Sequence, residues 1–373
     1  MIYFLIFVVL FCAILNMLVK KYVFYNLKYD RILSKKVVEI DEKFKLTTVI
    51  ENKKAVPVAF LQVSERFPSV LRFRFNVKEE KNSEYISHTS TMFILPYQRI
   101  KRTYDVSFKS RGRFILGDVN LTGGDFIGLS SVSSRVQRID DVIVLPKSVE
   151  LDSEIEPYGN YDGDFSVKRL IIEDPVQIIG INEYTGREPF NAIHWSSSLK
   201  CGKLMVKQFD HTSDNTVQIV LNIECAKPFW YGIDKKSVEK CISIARTLVD
   251  EFEESGIPYS FICDSYYDNE NVHKCQTAGT GRVHYEEILE SLGKLDYNVN
   301  IQFEDLIFDI MRSTDYPSAF ILITPSILKP YIGAINSLRE AASKLYVISL
   351  KSENMKYLDD DIFKYSGRNE KIG

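Results

Sequence analysis

The chain has 373 residues, with 47 Lys and Arg against 50 Asp and Glu and a formal net charge of −3. That balance excludes a generally basic, nucleic-acid-binding surface, and 45% apolar with 26% charged residues excludes a disordered chain. Six cysteines, at positions 12, 201, 225, 241, 263 and 275, form no CxxC pair and no regular spacing, so no zinc knuckle or disulfide framework can be read from them.

Residues 1–19 carry no charged side chain, and at 1.5 Å rise per residue they would cover about 28 Å, close to a hydrocarbon core. The run starts at Met1 with no basic leader and ends in Leu18-Val19-Lys20-Lys21. It therefore reads as an uncleaved transmembrane anchor over residues 1–21, not a signal peptide. Lys20, Lys21, Lys28, Arg31, Lys35 and Lys36 follow it. The positive-inside rule then gives a single-pass protein of the cell membrane with its body in the cytoplasm. Tyr22-Val23-Phe24-Tyr25 either rests at the headgroups or continues a helix or begins a strand.

Residues 37–150 read as a β-sandwich-like domain. Phe44, Leu46, Thr48 and Ile50 alternate, as do Leu71, Phe73, Phe75 and Val77. Shorter strands are expected at 37–40, 58–63, 90–95, 103–108, 113–116 and 142–145, without helices between them. Asn52-Lys53-Lys54 reads as a polar turn, and Gly117-Asp118 and Gly123-Gly124-Asp125 as strand breaks. Past residue 215 the pattern changes. Val217-Gln218-Ile219-Val220-Leu221 is a nearly continuous apolar run, and residues 235–255 have helical spacing on Val238, Cys241, Ile242, Ala245, Leu248, Val249 and Phe252, stopped by Gly256. Strands at 259–263, 319–323 and 345–350 alternate with helices near 283–292, 301–311 and 331–344. This predicts an α+β multidomain chain whose last domain, residues 216–352, is a doubly wound α/β domain followed by a tail at 353–373.

Between the two lies the connecting segment 151–215. It contains Asn182-Glu183-Tyr184-Thr185-Gly186-Arg187-Glu188-Pro189-Phe190-Asn191-Ala192-Ile193-His194-Trp195, then Gly202-Lys203-Leu204-Met205-Val206-Lys207. These residues resemble the signature of the family known as domain of unknown function 58 (DUF58): Arg-x-Tyr, a Gly-Asp pair, a basic residue, Ile-His-Trp and a Gly-x-Leu-x-Val-Lys strand. Arg111-Gly112-Arg113-Phe114, Asp125-Phe126-Ile127-Gly128-Leu129 and Val144-Leu145-Pro146 are similar to that family's upstream elements. Here Asn182 stands in the Arg-x-Tyr arginine position, Arg187-Glu188 in that of Gly-Asp, and Asn191 in that of the basic residue. The resemblance implies a membrane-anchored β domain followed by a von Willebrand factor A-like domain, working beside a MoxR-type AAA ATPase. It also implies a Mg²⁺ site of the form Asp-x-Ser-x-Ser after the first sheet strand. In this chain that run is Asn222-Ile223-Glu224-Cys225-Ala226, a degenerate set (Asn222, Glu224, Ala226) that lacks the first carboxylate and the last hydroxyl, so no metal or other cofactor is expected.

Tyr184, Gly186, Arg187, Glu188, His194 and Trp195 are the interaction candidates: Trp195 as a large anchor with a polar handle, or as a packed residue beside a structural His194. Arg187 and Glu188 either contact a partner or form surface ion pairs. Cysteines with His194, His211, His273 and His284 supply the atoms of a Cys/His hydrolase, but no nucleophile elbow or local signature accompanies them. Ala278-Gly279-Thr280-Gly281-Arg282 either cradles an anion or is a flexible connection, and Asp359-Asp360-Asp361 reads as a solvated face or tail. The expected function is that of a membrane-anchored, non-enzymatic interaction or scaffold protein. The alternatives are a metal-dependent protein-binding module and an uncharacterised hydrolase.

Overall fold

The computed structural model describes residues 3, 7, 17, 21–74, 84–124, 131–159, 178–184, 193–209, 216–228, 231–267, 277–312 and 317–368. It divides into two compact units, Met1–Lys147 with Leu289–Leu295, and Ser148–Ile288 with Asp296–Gly373.

The first unit contains β1 (Leu27–Leu33), β2 (Val37–Glu39), β3 (Phe44–Asn52), β4 (Val58–Pro68), β5 (Leu71–Phe73), β6 (Tyr85–Ile94), β7 (Arg99–Phe108), β8 (Gly112–Leu116), β9 (Val119–Gly124), β10 (Ser131–Val136) and β11 (Asp140–Leu145). Their alternating side chains build three sheets, ordered β1-β3-β7-β5, β10-β9-β4-β6 and β2-β11-β8. Pairing is antiparallel except between β2 and β11. One apolar core gathers Phe44, Leu46, Phe67, Leu71, Val106 and Phe108 with Val142 and Val144. A second gathers Ile50, Val58, Leu61, Val63, Met92, Ile94, Val119 and Leu121 with Val23. Val23 thus lies in the core, while Tyr22 and Tyr25 on either side of it are exposed. Gly123 is needed for that packing: a Cβ there would fall 2.4 Å from Val23 Cγ2. It lies in β9, which ends at Gly124, and its φ is not positive; Asp125 lies outside the described residues. The expected polar turn is also an internal joint, with Asn52 Nδ2 donating to the carbonyls of Val56 and Leu95 at 3.0 Å each and Lys54 Nζ donating to that of Tyr22 at 2.9 Å. Within this same unit Arg111, another buried cation, donates from Nη1 to the carbonyls of Leu292 (2.9 Å) and Leu295 (2.8 Å).

The second unit runs α1 (Leu151–Glu154), β12 (Ile155–Pro157), β13 (Ile178–Glu183), α2 (Trp195–Cys201), β14 (Met205–Phe209), β15 (Val217–Leu221), α3 (Lys235–Ser255), β16 (Tyr259–Cys263), β17 (Ser265–Tyr267), α4 (Arg282–Lys294), β18 (Leu295–Val299), α5 (Phe303–Met311), β19 (Ala319–Thr324), α6 (Tyr331–Ala341), β20 (Lys344–Ser349) and β21 (Phe363–Gly367). The last six residues of α4, Leu289–Lys294, and Leu295 at the start of β18 are counted with the first unit. Six strands form one sheet in the order β12-β21-β20-β19-β15-β16, parallel at each pairing except β12 with β21. Its core joins Val220, Phe320, Leu322, Leu345 and Val347 to Phe303, Leu306, Ile307 and Ile310 of α5 and Tyr331, Ile335 and Leu338 of α6.

These observations correct the expected architecture. The described residues are richer in strand than in helix, and the second unit is not a clear doubly wound A-like domain. Its sheet takes β12 from the connecting segment and β21 from the supposed tail, and a separate β17–β18 ribbon interrupts the strand–helix alternation. Strands this short have no continuous apolar run, so periodicity alone does not reveal them. The single-pass anchor and the cell-membrane localisation are corrected as well: among the described residues no helix is long and apolar enough to cross a membrane. Within residues 1–21 only Tyr3, Phe7, Met17 and Lys21 are described; the rest of the expected anchor lies outside the described residues.

Candidate functional site

The segment singled out in the sequence forms a small hairpin. β13 and β14 pair antiparallel, with Asn182 opposite Val206 and Glu183 opposite Met205. The Tyr184 N–H donates to the Leu204 carbonyl and the His194 N–H to that of Met205, each at 2.8 Å. These two bonds bring Tyr184 and His194 to the same strand. His194 then starts α2: its Nδ1 accepts the Ser197 N–H at 3.1 Å, and its carbonyl accepts the Ser198 hydroxyl at 2.9 Å. Ser198 Oγ in turn accepts the Met205 N–H at 2.8 Å, tying the helix to β14. Gly202, left-handed at φ 65°, ends the helix. Trp195 and Leu199, four residues apart and so on one face, are 63% and 85% exposed. Leu204 is exposed beside them in sequence, and Lys203 pairs with Glu183 at 3.2 Å. Gly186, Arg187 and Glu188 lie outside the described residues.

A second constellation forms where β15, β16 and β19 end. Leu221 is in register with Cys263 on one side and Ile323 on the other. The next residue of each strand is polar and buried: Asn222, Asp264 and Thr324. Asn222 Nδ2 donates to Thr324 Oγ1 at 2.9 Å, and its Oδ1 accepts the Glu224 N–H at 2.7 Å. Asp264 accepts the Ile223 N–H at 2.9 Å and the Glu224 N–H at 3.3 Å. Burial pushes the Asp264 carboxyl up to about 7, against the hydrogen bonds that favour its charge, and the Glu224 carboxylate adds to the rise. Glu224, fully buried, accepts the Phe303 N–H at 3.3 Å and meets Lys227 Nζ at 3.0 Å. Lys227 Nζ also binds Glu304 at 2.6 Å and Gln302 Oε1 at 3.2 Å, and it lies 5.5 Å from the centre of the Tyr331 ring. Burial works against the Lys227 charge, but its carboxylate partners outweigh it and hold the ammonium above its ordinary value.

This donor set does not suit a divalent cation. An ammonium group already neutralises Glu224, Asn222 Oδ1 is engaged by a backbone amide, and Ala226 offers no oxygen. Among the described residues no group of three or more His, Cys, Asp or Glu side chains is arranged to hold a metal ion.

No family model and no curated protein matches the chain. Solved structures give partial likenesses. The CARDB domain of a Pyrococcus furiosus protein, in complex with di-metal ions, is 13% identical over 32% of this chain and 91% of its own, with a TM-score of 0.22. A non-cellulosomal cohesin from Archaeoglobus fulgidus is 13% identical over 32% of this chain and 91% of its own, at 0.23. A cohesin module from a Clostridium perfringens family 33 glycoside hydrolase is 10% identical over 32% and 96%, also at 0.23.

Other sequence candidates have ordinary structural roles. The Gly281 N–H donates to Glu253 Oε1 at 3.0 Å, so an internal carboxylate occupies the glycine loop's donor. Burial holds the Cys225 and Cys241 thiols up, the reverse of an activated nucleophile. His211, His273, Cys12 and Cys275 lie outside the described residues. Sequence reasoning stopped the second constellation at Ala226 and so missed Lys227, Asp264, Thr324 and Glu304. A signal for two of these was present, since Asp264 directly follows the apolar run 259–263 and Thr324 the run 319–323.

Proposed function

We propose that this chain is a non-enzymatic interaction or scaffold protein that works with a MoxR-type AAA ATPase in the assembly or maturation of a complex. The observation that carries the reading is the exposed Trp195–Leu199 face of α2. The helix beneath it is held by the His194 cap and by Ser198, so a partner would meet an anchor already ordered. A large aromatic beside an aliphatic side chain is the composition of an interface hot spot. The buried carboxylates support a non-catalytic role, because internal donors occupy Asp264 and Glu224. The resemblance to DUF58 proteins, which are typically encoded beside such ATPases, supports the choice of partner.

Binding of the full chain to a purified MoxR-type AAA ATPase from the same organism tests the proposal. Trp195→Ala with Leu199→Ala should weaken the complex about 30-fold or more, the effect of losing a hot spot. Equal dissociation constants for the wild type and the double variant would overturn the assignment of this face. No measurable binding by the wild type would remove the partner.

A further inference from the structure

The β6 strand is the long edge of the sheet β10-β9-β4-β6, and among the described residues no strand pairs with its outer side. Its exposed side chains are Tyr85, Ser87, Thr89, Thr91 and Phe93; Ile86, Met92 and Ile94 point into the core, with His88 and Ser90 half-buried on the same side. Edge strands are ordinarily guarded by charge, proline or short length. The other edges of the two four-stranded sheets follow that rule: β1 carries Lys28, Asp30 and Arg31, β5 is three residues long and carries Arg72, and β10 carries Arg135. By contrast β6 has ten residues without Lys, Arg, Asp, Glu or Pro.

We infer that β6 is a self-complementary docking edge, and that its occupant is β6 of a second copy of this chain, paired antiparallel about a two-fold axis at Thr89. The sequence of the strand selects this partner. A symmetric antiparallel pair must place outward residues opposite outward residues, because side chains alternate between the two faces. With Thr89 opposite itself, Ser87 faces Thr91 and Tyr85 faces Phe93 on the outer side. On the core side Ile86 faces Met92 and His88 faces Ser90. Hydroxyls meet hydroxyls, an aromatic meets an aromatic and apolar meets apolar, which are the favourable cross-strand pairs. Centring the pair on Ser90 also preserves the faces, but it sets Ser87 against Phe93 and His88 against Met92. No fixed charge meets a like charge anywhere along the Thr89-centred ladder. Two copies joined in this way form an isologous interface that continues each four-stranded sheet into the other.

Sedimentation of the full chain over a concentration series tests the inference, together with amide hydrogen exchange at the two extremes of that series. Wild-type protein should form a dimer, and the β6 amides should become at least tenfold slower to exchange when it does. Thr89→Lys sets two ammonium groups face to face at the axis and should yield a monomer, whereas Thr89→Val should retain the dimer. Thr89 is exposed on the outer face, so far-UV circular dichroism should show both variants folded. A wild type that stays monomeric throughout would overturn the proposal. So would a dimer that survives Thr89→Lys with β6 exchange independent of concentration.

Discussion

Glu65 illustrates how much of the first unit depends on single buried charges. Arg31, with a fully buried side chain, donates to the carbonyls of Leu116 at 3.1 Å and Gly117 at 3.2 Å, and its Nε lies 3.6 Å from Glu65. Glu65 also accepts the Tyr29 hydroxyl, and it lies 3.4 Å from Thr48 Oγ1 and 3.7 Å from His88 Nδ1. Burial alone would raise the Glu65 carboxyl, but His88, Tyr29 and Arg31 together hold it below the usual range. Asp140, also at 3.6 Å but more exposed than Glu65, gives Arg31 a second counter-charge. Removing one partner of a buried pair costs up to about 3–5 kcal/mol, the upper end applying where the other ion is left uncompensated; here Arg31 keeps Asp140. Glu65→Ala should therefore lower the unfolding free energy of the first unit by up to that amount, read from urea titrations followed by amide exchange in β3 and β4. Replacing both partners, Arg31→Met with Glu65→Leu, should recover a large part of the loss, since Asp140 keeps Arg138 at 3.2 Å and no ion is then left without a partner. If the double variant were no more stable than Glu65→Ala, the loss would come from packing and not from the orphaned guanidinium.

At the scale of elements, α3 shows what the sequence makes legible. The expected helix over residues 235–255 coincides with the observed one, and all seven residues of the expected stripe are buried. Asp234 caps it by accepting the N–H groups of Lys236 at 3.2 Å and Ser237 at 3.4 Å. Gly256 closes it in the left-handed region at φ 67°. Asp234→Ala should cost about 1 kcal/mol through lost capping, and Gly256→Ala about 1–2 kcal/mol through left-handed strain; thermal melts of the two variants check both. Such a helix announces itself because periodicity, cap and stop agree locally. β12, β18 and β21 do not: they are three to five residues long and their partners are distant in sequence, as with Ile155 opposite Gly367. The candidate site divides in the same way. His194 and Trp195 were legible as a motif, but the exposure of Trp195 depends on what else packs there. Lys227 belongs with Glu224 and Glu304, and the second of these is 77 residues away, a contact that no local pattern encodes.

For the molecule as a whole, the two units carry buried carboxyls shifted in opposite directions, and this sets opposite responses to acid. Asp264 rises from 3.8 to about 7 on folding, so the folded second unit holds a proton that the unfolded chain releases over that interval. Its contribution to stability is fully present below pH 3.8 and is lost as pH rises through about 7, at no more than about 1.4 kcal/mol per pH unit. Glu65 is lowered on folding, so its contribution is present above its unfolded value and is lost as pH falls through the folded one. Trp195 lies in the second unit, so in a Trp230→Phe background, used for the measurements below, its fluorescence reports that unit's unfolding. The urea midpoint read from fluorescence should rise as pH is lowered from 7 to 5. Amide exchange in β3 and β4 should instead accelerate only in stronger acid, below the ordinary glutamate range. Asp264→Asn removes the titrating group and should flatten the fluorescence-detected slope between pH 5 and 7, leaving the acid response of β3 and β4 unchanged. A slope that persisted in Asp264→Asn would assign the pH dependence to another group, and loss of both responses together would mean that the two units unfold as one.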